Sequence, residues 1–374
     1  MALLDGILVA DFSRVLAGPF ATMLLGDLGA DVVKVERPGT GDDTRAWGPP
    51  WHGDVSTYYL ALNRNKRSVV LDLAAEGDRA LARELALRAD VLVESFRPGL
   101  MESWGLDGDT LRAANPRLVS CSVTAFGTGE AGRSLPGYDF LLQAMGGLMH
   151  VTGEADGPPL KVGAAVVDLV CGLLAANGIQ GALVERASTG RGRHVEVSLM
   201  DSALTALLNQ GTAWVAGGVA PSRRGNRHPS IVPYELFQAA DRPFAVAVGN
   251  DRLFARLCEA VGLPGLVDDP RFATNTARVA NVDALAEALN GAFAREPADV
   301  WVQRLRAAAV PVGPINGVDE AFALADELGM EPTQEVDGTP LIRPPLRVDG
   351  ARPPIRRPPP RLDEHGDEIR AWLD

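Results

Sequence analysis

The first 125 positions alternate short apolar runs with longer stretches of helical periodicity. Ile7–Asp11 is a short apolar run, Arg14–Pro19 follows as a loop, and Phe20–Leu28 carries apolar residues at helical spacing until Gly29 stops it. Asp31–Glu36 then reads as a second strand. Strand, helix and strand in this order require a parallel pair joined by a right-handed crossover. The pattern recurs with Ser68–Leu73 as strand, Gly77–Ala89 as a helix with Leu81 and Leu85 on one face, and Asp90–Glu94 as strand. A helix near Asp107–Ala114 and a strand at Arg117–Val123 complete the series. Such alternation predicts a doubly wound α/β fold with a parallel sheet.

From Gly137 to Glu185 the texture becomes apolar and glycine-rich. A second region opens near Arg223, with a strand at Phe244–Val248 and helices at Asp251–Val261, Asn281–Ala294 and Ala298–Ala308, which predicts a smaller α+β domain. Pro344–Pro360 is rich in Pro and Arg and reads as extended. The amphipathic end, His365–Leu373, has a face suited to docking.

Composition narrows the function. At 374 residues, 46% hydrophobic and 22% charged, the chain is an ordinary soluble protein with room for two cores. A net charge of −12 argues against nucleic acid as a partner, but not against an anionic small molecule met by local arginines. Cys121, Cys171 and Cys258 are scattered, which suits a reducing, cytoplasmic setting. The N-terminal stretch has no basic region and carries Asp5, so it reads as a strand, not a signal peptide. Val162–Val184 is long enough to span a membrane, yet Asp168 lies inside it, so a buried helix is expected and no membrane.

That single carboxylate is the most interesting group. Within Gly163–Gly172 it is either a helix N-cap or a functional carboxylate of raised pKa, and the two readings are compatible. The basic loop Asn63–Arg67, with Arg37 and Arg97 after predicted strands, faces either phosphates or solvent. Gly249-Asn250, between a strand and a helix, is either an oxyanion donor or only a turn. The five histidines show no metal-ligand spacing, no G-x-S-x-G elbow is present, and no metal site is expected.

The segments Asp11–Pro19, Gly29–Pro38, Asn63–Ser68, Val93–Gly99, Gly137–Asp139, Val167-Asp168 and Val248–Asp251 together resemble the class III CoA-transferase family, which also holds α-methylacyl-CoA racemases. The resemblance implies that Asp168 is the nucleophile, acylated through anhydride and thioester intermediates, with Tyr138 and Gly249 assisting. It places CoA against Val15, Arg37, Leu71, Asp72, Leu73, Ser95, Phe96, Arg97, Gly137, Tyr138 and Asp139. It also implies an interlocked homodimer whose Rossmann-like large domain (1–195) is completed by 335–374. Residues 196–228 and 316–334 become linkers and 229–315 the small domain. Acyl-CoA and a carboxylic acid are the expected substrates, succinyl-CoA a candidate donor, and no cofactor is permanently bound.

Departures sharpen the expectation. Racemases of the family carry His where Tyr138 stands, which removes one half of a two-base proton exchange. Leu16 replaces the Gln of formyl-CoA transferases, and Ala74 and Ser103 replace basic positions. Arg227 or His228 is a candidate partner for a second carboxylate. The alternatives are a racemase using Asp168 as acid and base, and a CoA-binding homologue without catalysis.

Overall fold

The computed structural model describes residues 2–374. The chain forms two compact units, one comprising 1–148, 161–220 and 331–374, the other 149–160 and 221–330.

The first unit is built on a six-stranded parallel sheet: β1 (Leu8–Phe12), β2 (Asp31–Glu36), β3 (Lys66–Val70), β4 (Val91–Glu94), β5 (Val119–Thr124) and β6 (His194–Ser198). Their spatial order is 3-2-1-4-5-6. Chain direction across the sheet therefore reverses between β1 and β4, and a crevice opens beyond their carboxyl ends, where open sheets bind ligands.

Successive residues of each strand enter opposite faces, as the pleat requires. Val9, Val32, Val91 and Cys121 join one core with Ala21 and Leu25 of α1 (Ala17–Asp27). Ala10, Val33 and Leu92 join the other with Leu85 and Ala86 of α3 (Glu76–Arg88), the short α2 (Thr57–Leu60) preceding it in the chain. The second core also receives Ile369 and Leu373 of the helix Gly366–Leu373, so the amphipathic end docks on the sheet that begins the chain. Arg356 fastens the approach: its guanidinium donates to the carbonyls of Gly26, Gly29 and Ala30 where α1 ends.

Several sequence readings change: residues 149–160, expected in the large domain, and 316–330, expected as linker and containing the helix Val318–Glu327, belong to the second unit. Residues 196–220 belong to the first unit instead of a linker, because β6 runs directly into the helix Leu199–Ala206, whose Leu199 and Ala203 enter the first core. The third strand starts at Lys66, two residues early, and the basic loop does not face phosphates. Lys66 is wholly buried on Asp11 (3.0 Å), Arg64 pairs with Asp27 (2.6 Å), and Arg67 pairs with Asp31 and Glu368. These cations carry the fold's internal charge, which alternating polarity along a sequence cannot distinguish from a solvated loop.

The second unit packs an antiparallel sheet (Val312–Pro314, Pro243–Ala247 and Tyr234–Gln238, in that order) against helices Asp251–Ala260, Val282–Phe293 and Ala298–Ala307. Phe293 stands edge-on to both Phe244 and Trp301 at its centre. Arg227 is committed to Glu235 (2.8 Å) and Asp283 (2.6 Å), so it is not free to receive a substrate carboxylate.

Candidate active site

The crevice between β1 and β4 is a cavity of about 300 Å³. One wall is the turn leaving β1. Ser95, beyond β4, accepts the Arg14 N–H at 2.9 Å, and Asp42 accepts the Val15 N–H at 3.3 Å. Val15 sits at φ 71°, a conformation that a β-branched residue adopts only where surroundings enforce it. The enforcement is electrostatic. Asp42 pairs with buried Lys34 (2.9 Å); burial opposes its ionisation, but Lys34 and hydrogen bonds from Thr44 bring it down to about 2. Asp11 lies beneath the same turn and accepts from Ser13, Thr22 and Lys66. Burial pushes this carboxyl up, and Lys66 and Lys34 outweigh it, holding it below the ordinary range.

The facing wall carries Asp168. It lies on α6 (Val166–Thr189), which follows α4 (Gly108–Ala114) and α5 (Asp139–Met145) in the chain. Asp168 is the third residue of α6, not its N-cap, which is Ala165. The helix begins three residues earlier than a capping role for the carboxylate would need. Among the described residues α6 alone is long and apolar enough to cross a membrane, but half of its most apolar stretch is buried, with Cys171, Ala175 and Ile179 in the first core. Gly172, one turn past Asp168, lets α1 approach: a Cβ there would stand 2.7 Å from the Ala17 carbonyl oxygen.

Asp168 is 9% exposed, and no donor among the described residues meets its carboxylate. Burial first, and the Asp139 carboxylate second, push it up to about 7. It is thus a buried, unpaired carboxylate, partly ionised at neutral pH and aimed into a cavity. Its nearest chemistry is nucleophilic or basic.

The cavity gathers Asp168, Tyr138, Gly137, Val15, Ser95, Phe96 and Arg97. Arg97 is exposed, and the Arg14 guanidinium lies over the Phe96 ring at 4.9 Å. Five other expected CoA contacts are not among the lining residues. Leu71 is buried in the second core, and Leu73 packs against it. Asp72 accepts the Ala74 N–H in a turn. Arg37 is held outside the cavity by Thr40 and Asp43, of which Asp43 lines it. Asp139 spends both carboxylate oxygens inside the chain. Gly249 lies in the second unit, before the helix that Asn250 caps through the Leu253 N–H (3.0 Å). Among the described residues no cluster of His, Cys, Asp or Glu is placed to hold a metal ion.

Tyr58, on α2, went unread in the sequence. Its hydroxyl is pushed up to about 12, by burial first and then by Asp168, Asp139 and Asp42, so a neutral phenol sits within electrostatic reach of the unpaired carboxylate. Nothing in its local pattern announces this, because 110 positions separate it from Asp168.

Residues 4–366 match the family described as CoA-transferase family III. The chain belongs to that family, and it is an enzyme of the CoA-transferase class. It is 44% identical to the acetyl-CoA:oxalate CoA-transferase of Acetobacter aceti, over 98% of this chain and 94% of that one. The succinate–glutarate CoA-transferase of Agrobacterium fabrum is 40% identical over 99% and 96%. Among solved structures, a CAIB/BAIF family protein from Brucella suis superposes with a TM-score of 0.88 at 42% identity, covering the whole of both chains. The family expected from the sequence segments is therefore the family found.

Proposed function

We propose that this CoA-transferase moves CoA from an acyl-CoA donor to a carboxylic acid through acylation of Asp168. The observation that carries the reading is a buried carboxylate without a hydrogen-bond donor, lifted to about 7, in the crevice at the sheet's reversal. The carboxylate attacks the donor thioester; the C–S bond breaks, leaving a mixed anhydride and CoA thiolate. The thiolate attacks the aspartyl carbonyl, releases the donor acid, and forms an aspartyl-CoA thioester. The acceptor carboxylate displaces the thiolate to make a second anhydride. Attack of the thiolate on its acyl carbon gives the new acyl-CoA and restores Asp168. CoA is a substrate throughout, and no step calls on a resident cofactor.

Burial serves this sequence because a desolvated carboxylate is the stronger nucleophile, and fixed alignment supplies about 7–11 kcal/mol of the barrier. Arg97 and Arg14 offer charge to the CoA phosphates. Tyr58 and Tyr138 offer hydroxyls to the acyl group. The relatives point to small dicarboxylates as acids, with acetyl-CoA or succinyl-CoA as a donor. An interlocked homodimer and a cytoplasmic setting are part of the same reading. The test is acyl transfer with hydroxylamine trapping: Asp168→Ala and Asp168→Asn lose transfer, and the wild type acquires a hydroxamate at Asp168. Full transfer by Asp168→Ala defeats the mechanism. Solvent deuterium entering the α-carbon without an acceptor acid would instead mark a racemase.

A further inference from the structure

The first turn of α6, which carries Asp168, has no cap of its own. Ala165 stands at the N-cap position and offers no side-chain acceptor. The role is filled from α5. Asp139 Oδ1 accepts the N–H groups of Val167 (2.8 Å) and Asp168 (3.2 Å), and its Oδ2 accepts from Gln143 Nε2 (2.7 Å). Gln143 is fully buried, one turn further along α5. Its Oε1 accepts the Val162 N–H at 2.8 Å, and its Nε2 lies 3.4 Å from the Ala164 carbonyl. Two side chains of one short helix thus secure the backbone on both sides of the entry into α6.

We infer that Asp139 and Gln143 form a clamp that positions Asp168 for attack, and that both are positioning residues for CoA transfer instead of contacts for CoA. The inference rests on Asp168 being the nucleophile. The clamp is directional. Helix N–H groups and the Gln143 amide both point at Asp139, while the Val162 N–H points at Gln143. An amide at 139 turns one donor against another, and flipping the Gln143 side chain to relieve this sets its NH₂ against the Val162 N–H. A carboxylate at 143 alone faces the carboxylate of Asp139. Making both changes restores every pairing but the long 3.4 Å contact to the Ala164 carbonyl: the new amide still accepts the helix N–H groups and now donates to the new carboxylate, which also accepts from Val162.

The exchange also moves a charge. The charge acting on Asp168 is that of Asp139 from α5; Asp168 in turn raises the Tyr58 phenol of α2 and the Cys171 thiol on its own helix, both of which stay neutral. Arg14 and Arg97 line the same cavity. Shifting the Asp139 charge one turn along α5 weakens the repulsion on Asp168, so its ionisation falls to lower pH.

The experiment compares transfer from succinyl-CoA to glutarate, or from acetyl-CoA to oxalate, between pH 5 and 9. The proteins are the full-length wild type, Asp139→Asn, Gln143→Glu, the double variant and Asp168→Ala. Each single clamp variant is expected to lose about tenfold or more in kcat, the effect of a mispaired buried polar group, with KM for acyl-CoA nearly unchanged. The double variant regains most of kcat, and its acid limb lies at lower pH than the wild type's. Singles with wild-type kcat and pH profile overturn the clamp. So does a double variant no better than the singles, and this arm decides the matter if a single variant does not fold. If Asp168→Ala retains transfer, the nucleophile reading fails instead; if it is dead while the clamp variants are normal, only the clamp fails.

Discussion

A buried carboxylate without a donor should be a burden to the fold. The Asp168 carboxyl is raised from its ordinary 3.8 to about 7. The folded chain therefore binds that proton more tightly than the unfolded chain, and stability is lost as pH rises between those values. The penalty is complete by about pH 7, where it comes to about 4 kcal/mol, and it shrinks to under 1 kcal/mol at pH 4. Asp168→Asn removes the titration while keeping size and shape. At pH 8 the variant should be more stable by up to that amount, which for a unit of this size is a rise of about 5–8 °C in melting temperature. The assay is thermal unfolding of wild type and variant side by side from pH 4 to 8, with other titrating groups common to both. A constant difference across pH, or a variant less stable at pH 8, would refute the burial argument even if the variant were catalytically dead.

Other outcomes follow from single contacts. Gly172→Ala places a methyl group against the Ala17 carbonyl and should cost about 1–3 kcal/mol by urea unfolding, with kcat falling as α1 and α6 separate. Lys66→Met strands Asp11 in the interior and should cost about 3–5 kcal/mol, whereas a phosphate-binding lysine would change KM for acyl-CoA and leave stability alone. Arg97→Ala should do the reverse, raising KM for acyl-CoA with an unchanged melting temperature, because the side chain is exposed in the cavity. Arg356→Ala forfeits three carbonyl contacts and should make the segment after Pro344 an early site of limited proteolysis.

The sheet was legible because its strands obey local rules. β1, β2, β4 and β5 were placed within a residue or two of their bounds, and Gly29 ends α1 at φ 112° as a helix stop should. α1 begins at Ala17 rather than Phe20, since Pro19 in a first turn starts a helix as readily as it sits in a loop. What local pattern missed was decided at long range. Lys66 and Arg67 look like loop residues until Asp11 and Asp31 are brought to them. Tyr58 is an ordinary aromatic until α6 lies beside it. The segment's resemblance makes Asp139 a ligand contact, whereas one of its oxygens is taken by a helix that starts 27 residues later and the other by Gln143 of its own helix. The resemblance picks out residues of one neighbourhood; the fold divides them between lining the cavity and bracing its walls.

The route of the chain bears on how the protein is made. Most of the second unit, residues 221–330, is inserted in the chain between the parallel sheet and the helix Gly366–Leu373 that completes the sheet's second core. On the ribosome, all six strands emerge more than 160 residues before that helix, leaving Leu85, Leu92 and their neighbours without their last covering element. Closing the core over so long an intervening stretch makes the final step slow and the waiting intermediate prone to association. The charged helix α3 packs into the same core and carries six ionisable side chains, none of them buried, a composition that favours solubility until the cover arrives.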